Sequence, residues 1–328
     1  MEDYLFACAR VSALENALIG REKLERLMAA PDLTRCVELL AEFGVEIKRN
    51  PETGAFLREE TLLSRLQNAY AEVQEGTDEA PFTRIFRWQY DCNNIKAAIK
   101  CVKRGVDPAG MFFDFGNIKA QTVLDCAEKN EYENLEEPFA TAAREASDAF
   151  SKTGNPQWVD LILDRACYAA MLTDAGKNAF ARQIVKQKID LTNLLTCLRL
   201  LRMKSEEAGR LMLNDSFIEG GDVEKETLAA AYGDGEGTFW ELVSRTDCSQ
   251  FGVGIGPSSN LTQIERAADN FWISSVRQAK WLVFGEEVLL AYLASVEYEV
   301  RNLRIVLAGV EAGLSPKIIG ERIRLNEL

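Results

Sequence analysis

Residues 285–316 read GEEVLLAYLASVEYEVRNLRIVLAGVEAGLSP, and this stretch decides the fold. Its apolar residues are spaced alternately four and three apart, which places them in one stripe along a helix. The stripe consists of Leu289, Leu293, Val296, Val300, Leu303, Leu307 and Val310. The spacing predicts a core-facing helix of about six turns, at roughly 3.6 residues per turn. We expect a turn after it, because Gly309 and Gly313 weaken the helix and Ser315-Pro316 can open another.

An acid and an amide stand beside this stripe, three residues apart, and so point the same way from a helix. The same pair occurs in two earlier helical runs. The three pairs are Asp91 with Asn94, Asp190 with Asn193, and Glu299 with Asn302. Successive Asn residues are separated by about a third of the 328-residue chain. We therefore predict an internal triplication.

Composition favours helices throughout. Apolar residues make up 47% of the chain and recur at helical spacing, whereas alternating strand patterns are hard to find. The sequence therefore predicts an all-α protein. We place the three helical repeats at residues 1–114, 115–219 and 220–328. Gly116-Asn117-Ile118 and Gly221-Asp222-Val223 are expected to open helices, the second with Asp222 as N-cap.

The charge balance limits the possible partners. The net charge is −13, from 51 acidic and 38 basic residues. This balance argues against nucleic acid and against electrostatic attachment to anionic lipid. The chain starts with acidic residues and has no apolar run of 18 residues, so we predict a cytoplasmic protein that does not span a membrane. Eight cysteines without a C-x-x-C pair are expected to be reduced core residues.

The sequence offers few candidates for a catalytic, metal-binding or ligand-binding site. Histidine is absent, which removes Ser-His-Asp and Cys-His nucleophilic sites and His-ligated zinc. The Gly-rich run at residues 252–260, GVGIGPSSN, could cradle a phosphate, but no Lys-Ser/Thr follows it and a flexible turn is the preferred interpretation. Trp240, Trp272 and Trp281, with Phe239 and Phe271, could form a ligand cage, although helical spacing favours the core. We predict no active site, no cofactor and no metal.

The three acids have two possible roles. They could be catalytic carboxylates, but an acid in a helical core also needs a cation. One Arg lies a helix before each acid, at Arg65, Arg165 and Arg266. Our hypothesis is that Asp91, Asp190 and Glu299 pair with these or nearby Arg residues. Asn94, Asn193 and Asn302 are then expected to bond neighbouring backbone, and all nine residues to act as determinants of the fold.

The chain resembles a known family over essentially its whole length. The resemblance lies in the opening run at 4–40, YLFACARVSALENALIGREKLERLMAAPDLTRCVELL, and in the run at 284–323, FGEEVLLAYLASVEYEVRNLRIVLAGVEAGLSPKIIGERI. Its most specific part is YEVRNLRIVLAG with its two fainter copies. Together these resemble the C subunit of prokaryotic V/A-type rotary ATPases, the counterpart of the d subunit of eukaryotic vacuolar ATPases.

The resemblance implies a fold and a function. It implies a funnel of three similar helical domains around a pseudo-threefold axis, peripheral to the membrane on its cytoplasmic face. The funnel would sit on the proteolipid ring and hold the tip of a central shaft made of the D and F subunits. Such a rotor subunit is not an enzyme itself but transmits torque for ATP-driven H⁺ or Na⁺ transport or ion-driven ATP synthesis.

Repeats alone leave a second function open. A helical-repeat adaptor for soluble protein partners would show the same periodicity. For the rotor subunit we expect partner contacts on the exposed faces between domains and in the loops at residues 44–54, 129–137 and 233–237.

Overall fold

The computed structural model describes residues 4–77, 80–108, 110–203 and 206–324. Within these ranges the regular secondary structure is helical, and the only strand-like pairing is an isolated bridge between Arg49 and Phe56. The predicted all-α class is confirmed. In the same ranges, no helix combines the length and the apolar character needed to cross a bilayer.

The helices follow one another along the whole chain. In order they are α1 (Leu5–Glu15), α2 (Arg21–Met28), α3 (Leu33–Glu42), α4 (Arg58–Gln74), α5 (Trp88–Arg104), α6 (Ala120–Lys129), α7 (Phe139–Thr153), α8 (Gln157–Ala175), α9 (Ala179–Arg202), α10 (Glu206–Ser216), α11 (Lys225–Asp234), α12 (Glu236–Arg245), α13 (Leu261–Arg277), α14 (Glu286–Glu311) and α15 (Pro316–Gly320). Short 3₁₀ helices span Pro81–Arg84, Ser249–Gly252 and Gln278–Trp281.

The chain forms two compact units. The first joins Met1–Ala80 with Ser259–Leu328, and the second is Pro81–Ser258. The first unit unites both ends of the chain because α14 packs against α1, α2, α3, α4 and α13. These units divide the chain at other points than the predicted repeats, and the repeat boundaries remain a prediction.

Helix α14 is the core of the first unit. All seven residues of the predicted stripe are buried, with Leu289, Leu293 and Val296 fully so. Burial also extends beyond the stripe, to Tyr292 and Tyr298. Several helices surround α14, so it buries more than the single face that its periodicity predicts. Each fully buried Leu or Val contributes about 1.5–3 kcal/mol relative to an exposed one.

The second unit is built on two long helices. Helix α5 packs against α6, α7 and α8, and helix α9 packs against α8, α10, α11 and α12. Helix α5 ends at Gly105, whose φ of 64° suits glycine, and the Val106 N–H donates to the Cys101 carbonyl at 3.0 Å. The same ending closes α14, with Gly313 at φ 66° and a 2.9 Å bond from Leu314 N–H to the Gly309 carbonyl. Both are Schellman motifs, which satisfy the last carbonyls of a helix.

The eight cysteines are all buried and unpaired, as predicted. Burial in apolar surroundings raises the pKa of Cys36 to about 11 and that of Cys197 to about 12. These thiols therefore stay protonated and act as small apolar residues.

Candidate functional site

The three acid–amide pairs lie on the three long helices α5, α9 and α14. Their six side chains are all buried, and none is more than 3% exposed. In each pair the spacing of three residues turns both groups toward the same side of the helix. A buried polar group needs a hydrogen-bond partner, so the partners define what each pair does.

Each Asn side chain forms two hydrogen bonds with the backbone of a single residue. The partners are Phe113 for Asn94, Ile218 for Asn193 and Arg324 for Asn302. The Asn Nδ2 donates to the partner carbonyl at 2.8, 2.8 and 2.9 Å respectively. The partner N–H donates to the Asn Oδ1 at 3.0, 3.0 and 2.9 Å. Each amide thus clamps a non-helical segment onto its helix, as expected from the sequence.

Asp91 bonds the backbone just before the next helix. It accepts from the N–H groups of Asn117 at 2.8 Å and Ile118 at 2.9 Å. These are the two residues preceding Lys119, the N-cap of α6. Arg87, one turn before Asp91, donates to the carbonyls of Phe115 and Gly116 in the same loop. The carboxylate therefore fixes where α6 begins relative to α5.

Asp190 repeats this arrangement on α9. It accepts from the N–H groups of Asp222 and Val223, both at 3.0 Å. These two residues again directly precede an N-cap, here Glu224 at the start of α11. The prediction that Asp222 caps this helix is wrong, since Asp222 is paired instead with Lys186 at 2.5 Å. The same side-chain-to-backbone contact thus occurs twice in the second unit.

Two glycines allow these close approaches. A Cβ added to Gly116 would lie 1.9 Å from Oδ1 of Asp91, and one added to Gly221 would lie 2.1 Å from Oδ1 of Asp190. No real Cβ atom tolerates such a contact, so both positions require glycine. The sequence located both tripeptides but interpreted them as helix starts, whereas α6 begins at Ala120 and α11 at Lys225.

Glu299 completes the pattern with the opposite end of the chain. Its carboxylate accepts a hydrogen bond from the N–H of Ile19 at 2.8 Å. Ile19 directly precedes Gly20, the N-cap of α2. It also accepts a hydrogen bond from Nε of Arg65, on α4, at 2.8 Å. The third motif therefore holds two separate segments, with Ile19 bound by the acid and Arg324 by the amide. One loop supplies both contacts in each of the other motifs.

The predicted Arg pairings are mostly wrong. The third acid does have an Arg partner, since Glu299 pairs with Arg65 of the first unit. Arg165 is exposed and donates to the Leu161 carbonyl of its own helix at 3.3 Å, and Arg266 donates to the Glu321 carbonyl at 3.0 Å. The physical reason is that Asp91 and Asp190 obtain their donors from backbone N–H groups and need no cation. Sequence reasoning considered side-chain partners alone for these acids.

Burial raises the pKa of two motif acids. The pKa of Asp91 rises to about 6, because burial outweighs its two backbone hydrogen bonds and the nearby Arg87. Burial also raises the pKa of Asp190, against the bonds from Val223 and Asp222. For Arg65, burial lowers the pKa, but the charge of Glu299 outweighs it and the net direction is upward. The carboxylate of Glu299 thus stabilises the charged form of Arg65.

Within the first unit, Trp272 and Trp281 lie in different surroundings and do not form a cage together. Trp272 is buried and stacks on Tyr298, with ring centroids 5.7 Å apart. Trp281 departs from the expected core position, because its side chain is 80% exposed. The Gly-rich run at 252–260 forms a turn that ends at Asn260, which caps α13 in a capping box with Gln263. Among the described residues, no group of three or more Cys, Asp and Glu side chains is placed to hold a metal ion.

Comparison with known proteins gives the family. The chain matches the family described as ATP synthase (C/AC39) subunit over residues 7–322. Its relatives include the C subunit of the A-type ATP synthase of Halorubrum lacusprofundi, 25% identical over 94% of each chain. That of Methanosarcina mazei is 26% identical over 98% of this chain and 92% of the relative. The C subunit of the V-type sodium ATPase of Enterococcus hirae is 23% identical over 77% of each. Because the family match spans nearly every helix described above, the chain belongs to the C/AC39 subunit family of ATP synthases.

Proposed function

We propose that the chain is the rotor subunit that couples a central shaft of the D and F subunits to the membrane proteolipid ring. It transmits torque between them and carries out no reaction of its own. ATP hydrolysis in the catalytic head then drives H⁺ or Na⁺ transport, or ion flow drives ATP synthesis. The chain acts on the cytoplasmic face, peripheral to the membrane.

The observation that carries the proposal is the clamp found three times. Helices α5, α9 and α14 each hold the approach to another helix through a buried acid, and each also binds non-helical backbone through a buried Asn. Fully satisfied buried polar networks rigidify a fold. A torque adaptor needs such stiffness, and three copies of one device suit a protein whose two partners share an axis. The funnel of three domains around that axis is part of this proposal.

The net charge and the composition of the helices support attachment of this chain to the membrane through a membrane protein. No described helix has the length and apolar character of a membrane span, and the net charge of −13 opposes binding to anionic lipid. A peripheral subunit with these properties needs a protein receptor in the membrane. The proteolipid ring is the receptor that the family resemblance implies.

A bridging assay tests the proposal. Liposomes carrying the purified proteolipid ring are mixed with fluorescent D–F complex, with and without this chain, and sedimented. We expect D–F to sediment with the ring only when the chain is present. Protein-free liposomes serve as the control and should retain neither component. Failure of the chain to bind either ring or D–F would contradict the proposal and favour the adaptor for soluble partners.

A further inference from the structure

A run of four apolar residues is exposed in the first unit. Trp281, Leu282, Val283 and Phe284 are 80%, 50%, 77% and 54% exposed. They connect the 3₁₀ helix Gln278–Trp281 to the start of α14. Single exposed apolar residues are ordinary, but a contiguous apolar patch on a soluble surface marks an interaction site.

The start of α1 extends this exposed surface. The Cys8 thiol donates to the Gly285 carbonyl at 3.5 Å, so the first turn of α1 lies at the same end of the unit as residues 281–284. In that turn Leu5 is 52% exposed and Phe6 is 75% exposed. We call these six residues the apolar edge; they are Leu5, Phe6, Trp281, Leu282, Val283 and Phe284.

Backbone and charge favour a protein partner over lipid. The N–H groups of Val283 and Phe284 have no hydrogen-bond partner among the described residues. Burying them in the hydrocarbon of a bilayer would leave them without acceptors, whereas a protein surface can supply acceptors. A chain with a net charge of −13 is also repelled by anionic headgroups.

The flank of the apolar edge suits a partner that emerges from a membrane. Lys280 lies over the indole of Trp281, with its Nζ 5.0 Å from the ring centroid. Trp beside Lys is a pairing suited to the level of lipid headgroups, where an apolar ring meets water and charge. A ring of membrane proteins presents its protein surface at that level, together with the backbone acceptors that lipid lacks.

We propose that the apolar edge is the surface of this chain that docks onto the proteolipid ring. The inference rests on the proposed function and assigns the contact to residues outside the loops 44–54, 129–137 and 233–237, where sequence reasoning expected it. Burial of Trp281 and Val283 against the ring supplies the binding energy, and the N–H groups of Val283 and Phe284 set the orientation.

The test compares substitutions in the apolar edge with a substitution of an exposed valine elsewhere. The double variant Trp281→Ser/Val283→Ser removes two side chains of the apolar edge. The control is Val253→Ser, at a position that is 79% exposed in the Gly-rich turn of the second unit. All three side chains are exposed, so far-UV circular dichroism and the urea midpoint should be unchanged. We expect the double variant to lose about tenfold or more in affinity for ring-containing liposomes. The control should bind as the wild type does.

The outcomes separate the two proposals. Equal ring binding by the double variant and the wild type would overturn the apolar edge and leave the coupling function standing. The edge is also overturned if the double variant loses D–F binding and keeps ring binding. If the wild type binds protein-free liposomes as well as it binds ring-containing ones, the contact is with lipid, and the apolar edge is again overturned. If the wild type binds no ring at all, the coupling function itself fails, and the apolar edge fails with it.

Discussion

At the scale of single residues, the motif acids obtain their donors in two ways. Asp91 and Asp190 each accept hydrogen bonds from two successive backbone N–H groups, at the approach to a helix start. Glu299 is one methylene longer and reaches both the Ile19 N–H and Arg65. Loss of the carboxylate should therefore have different consequences at the two kinds of site.

Removing the charge of Glu299 should destabilise the first unit. In Glu299→Gln, Arg65 keeps a side chain that is only 21% exposed and loses its counter-ion. We expect the free energy of unfolding in urea to fall by about 3 kcal/mol. The control is Glu241→Gln, which breaks an ion pair with Arg245 between two exposed side chains and should change nothing measurable. Equal stability of both variants would rule out a structural role for the Glu299–Arg65 pair.

Asp91 should make stability depend on pH. Its pKa is about 6 in the folded protein against an ordinary value of 3.8. Between these values the folded state keeps a proton that the unfolded state releases, so this group's contribution to stability falls as pH rises from about 4 to 6. A pKa rise of this size corresponds to about 3 kcal/mol.

Comparison with Asp91→Asn isolates this effect, because the variant lacks the titrating group. The difference in unfolding free energy, wild type minus variant, should fall by about 2 kcal/mol between pH 4 and 6, with the remainder of the effect lying just outside this range. Urea unfolding of both proteins at a series of pH values measures it. A difference that stays constant across this range would show that Asp91 titrates normally in the folded protein.

At the scale of elements, the position of α6 relative to α5 depends on Gly116. Gly116→Ala places a Cβ against the Asp91 carboxylate and should lower the free energy of unfolding by about 2 kcal/mol. Gly237→Ala is the matched control, since its Cβ meets nothing within 4 Å and it lies in α12. The control should be neutral or slightly stabilising, by up to about 1 kcal/mol. Similar urea midpoints for the two variants would contradict the close approach.

The sequence predicts elements better than their contacts. The stripe in α14 was readable because helix packing imposes a period on residue types. The contact of Asp91 with backbone N–H groups was not, because every residue type except proline offers the same N–H. Gly116 was the one visible sign of it. Trp281 was placed in the core because spacing cannot show that the helix ends before it, with exposed residues following.

At the scale of the whole molecule, the ends of the chain belong to one unit. The hydrogen bond between Glu299 and Ile19 joins residues 280 positions apart, and no local sequence pattern predicts such a contact. The three acid–amide pairs at similar intervals predict a triplication, which remains a prediction. The segment that Glu299 contacts could not be predicted, because Ile19 lies near the opposite end of the sequence.

The unit boundaries predict which fragments fold. Residues 81–258 contain both α5 and α9 with their packing partners and should unfold cooperatively in urea. Residues 1–114, the first predicted repeat, lack α14 and should show no cooperative transition. Far-UV circular dichroism during urea titration measures both. A sigmoidal transition in fragment 1–114, with none in fragment 81–258, would reverse the assignment.

Single-molecule rotation shows whether this chain transmits torque between the shaft and the ring. Complexes with the ring surface-attached and the catalytic head labelled, or the reverse, can be assembled with and without this chain. With the chain present, ATP should drive rotation of the ring relative to the head. Without it, the D–F shaft should still turn while the ring stays still. Equal ATP-driven rotation of the ring in its absence would contradict the account.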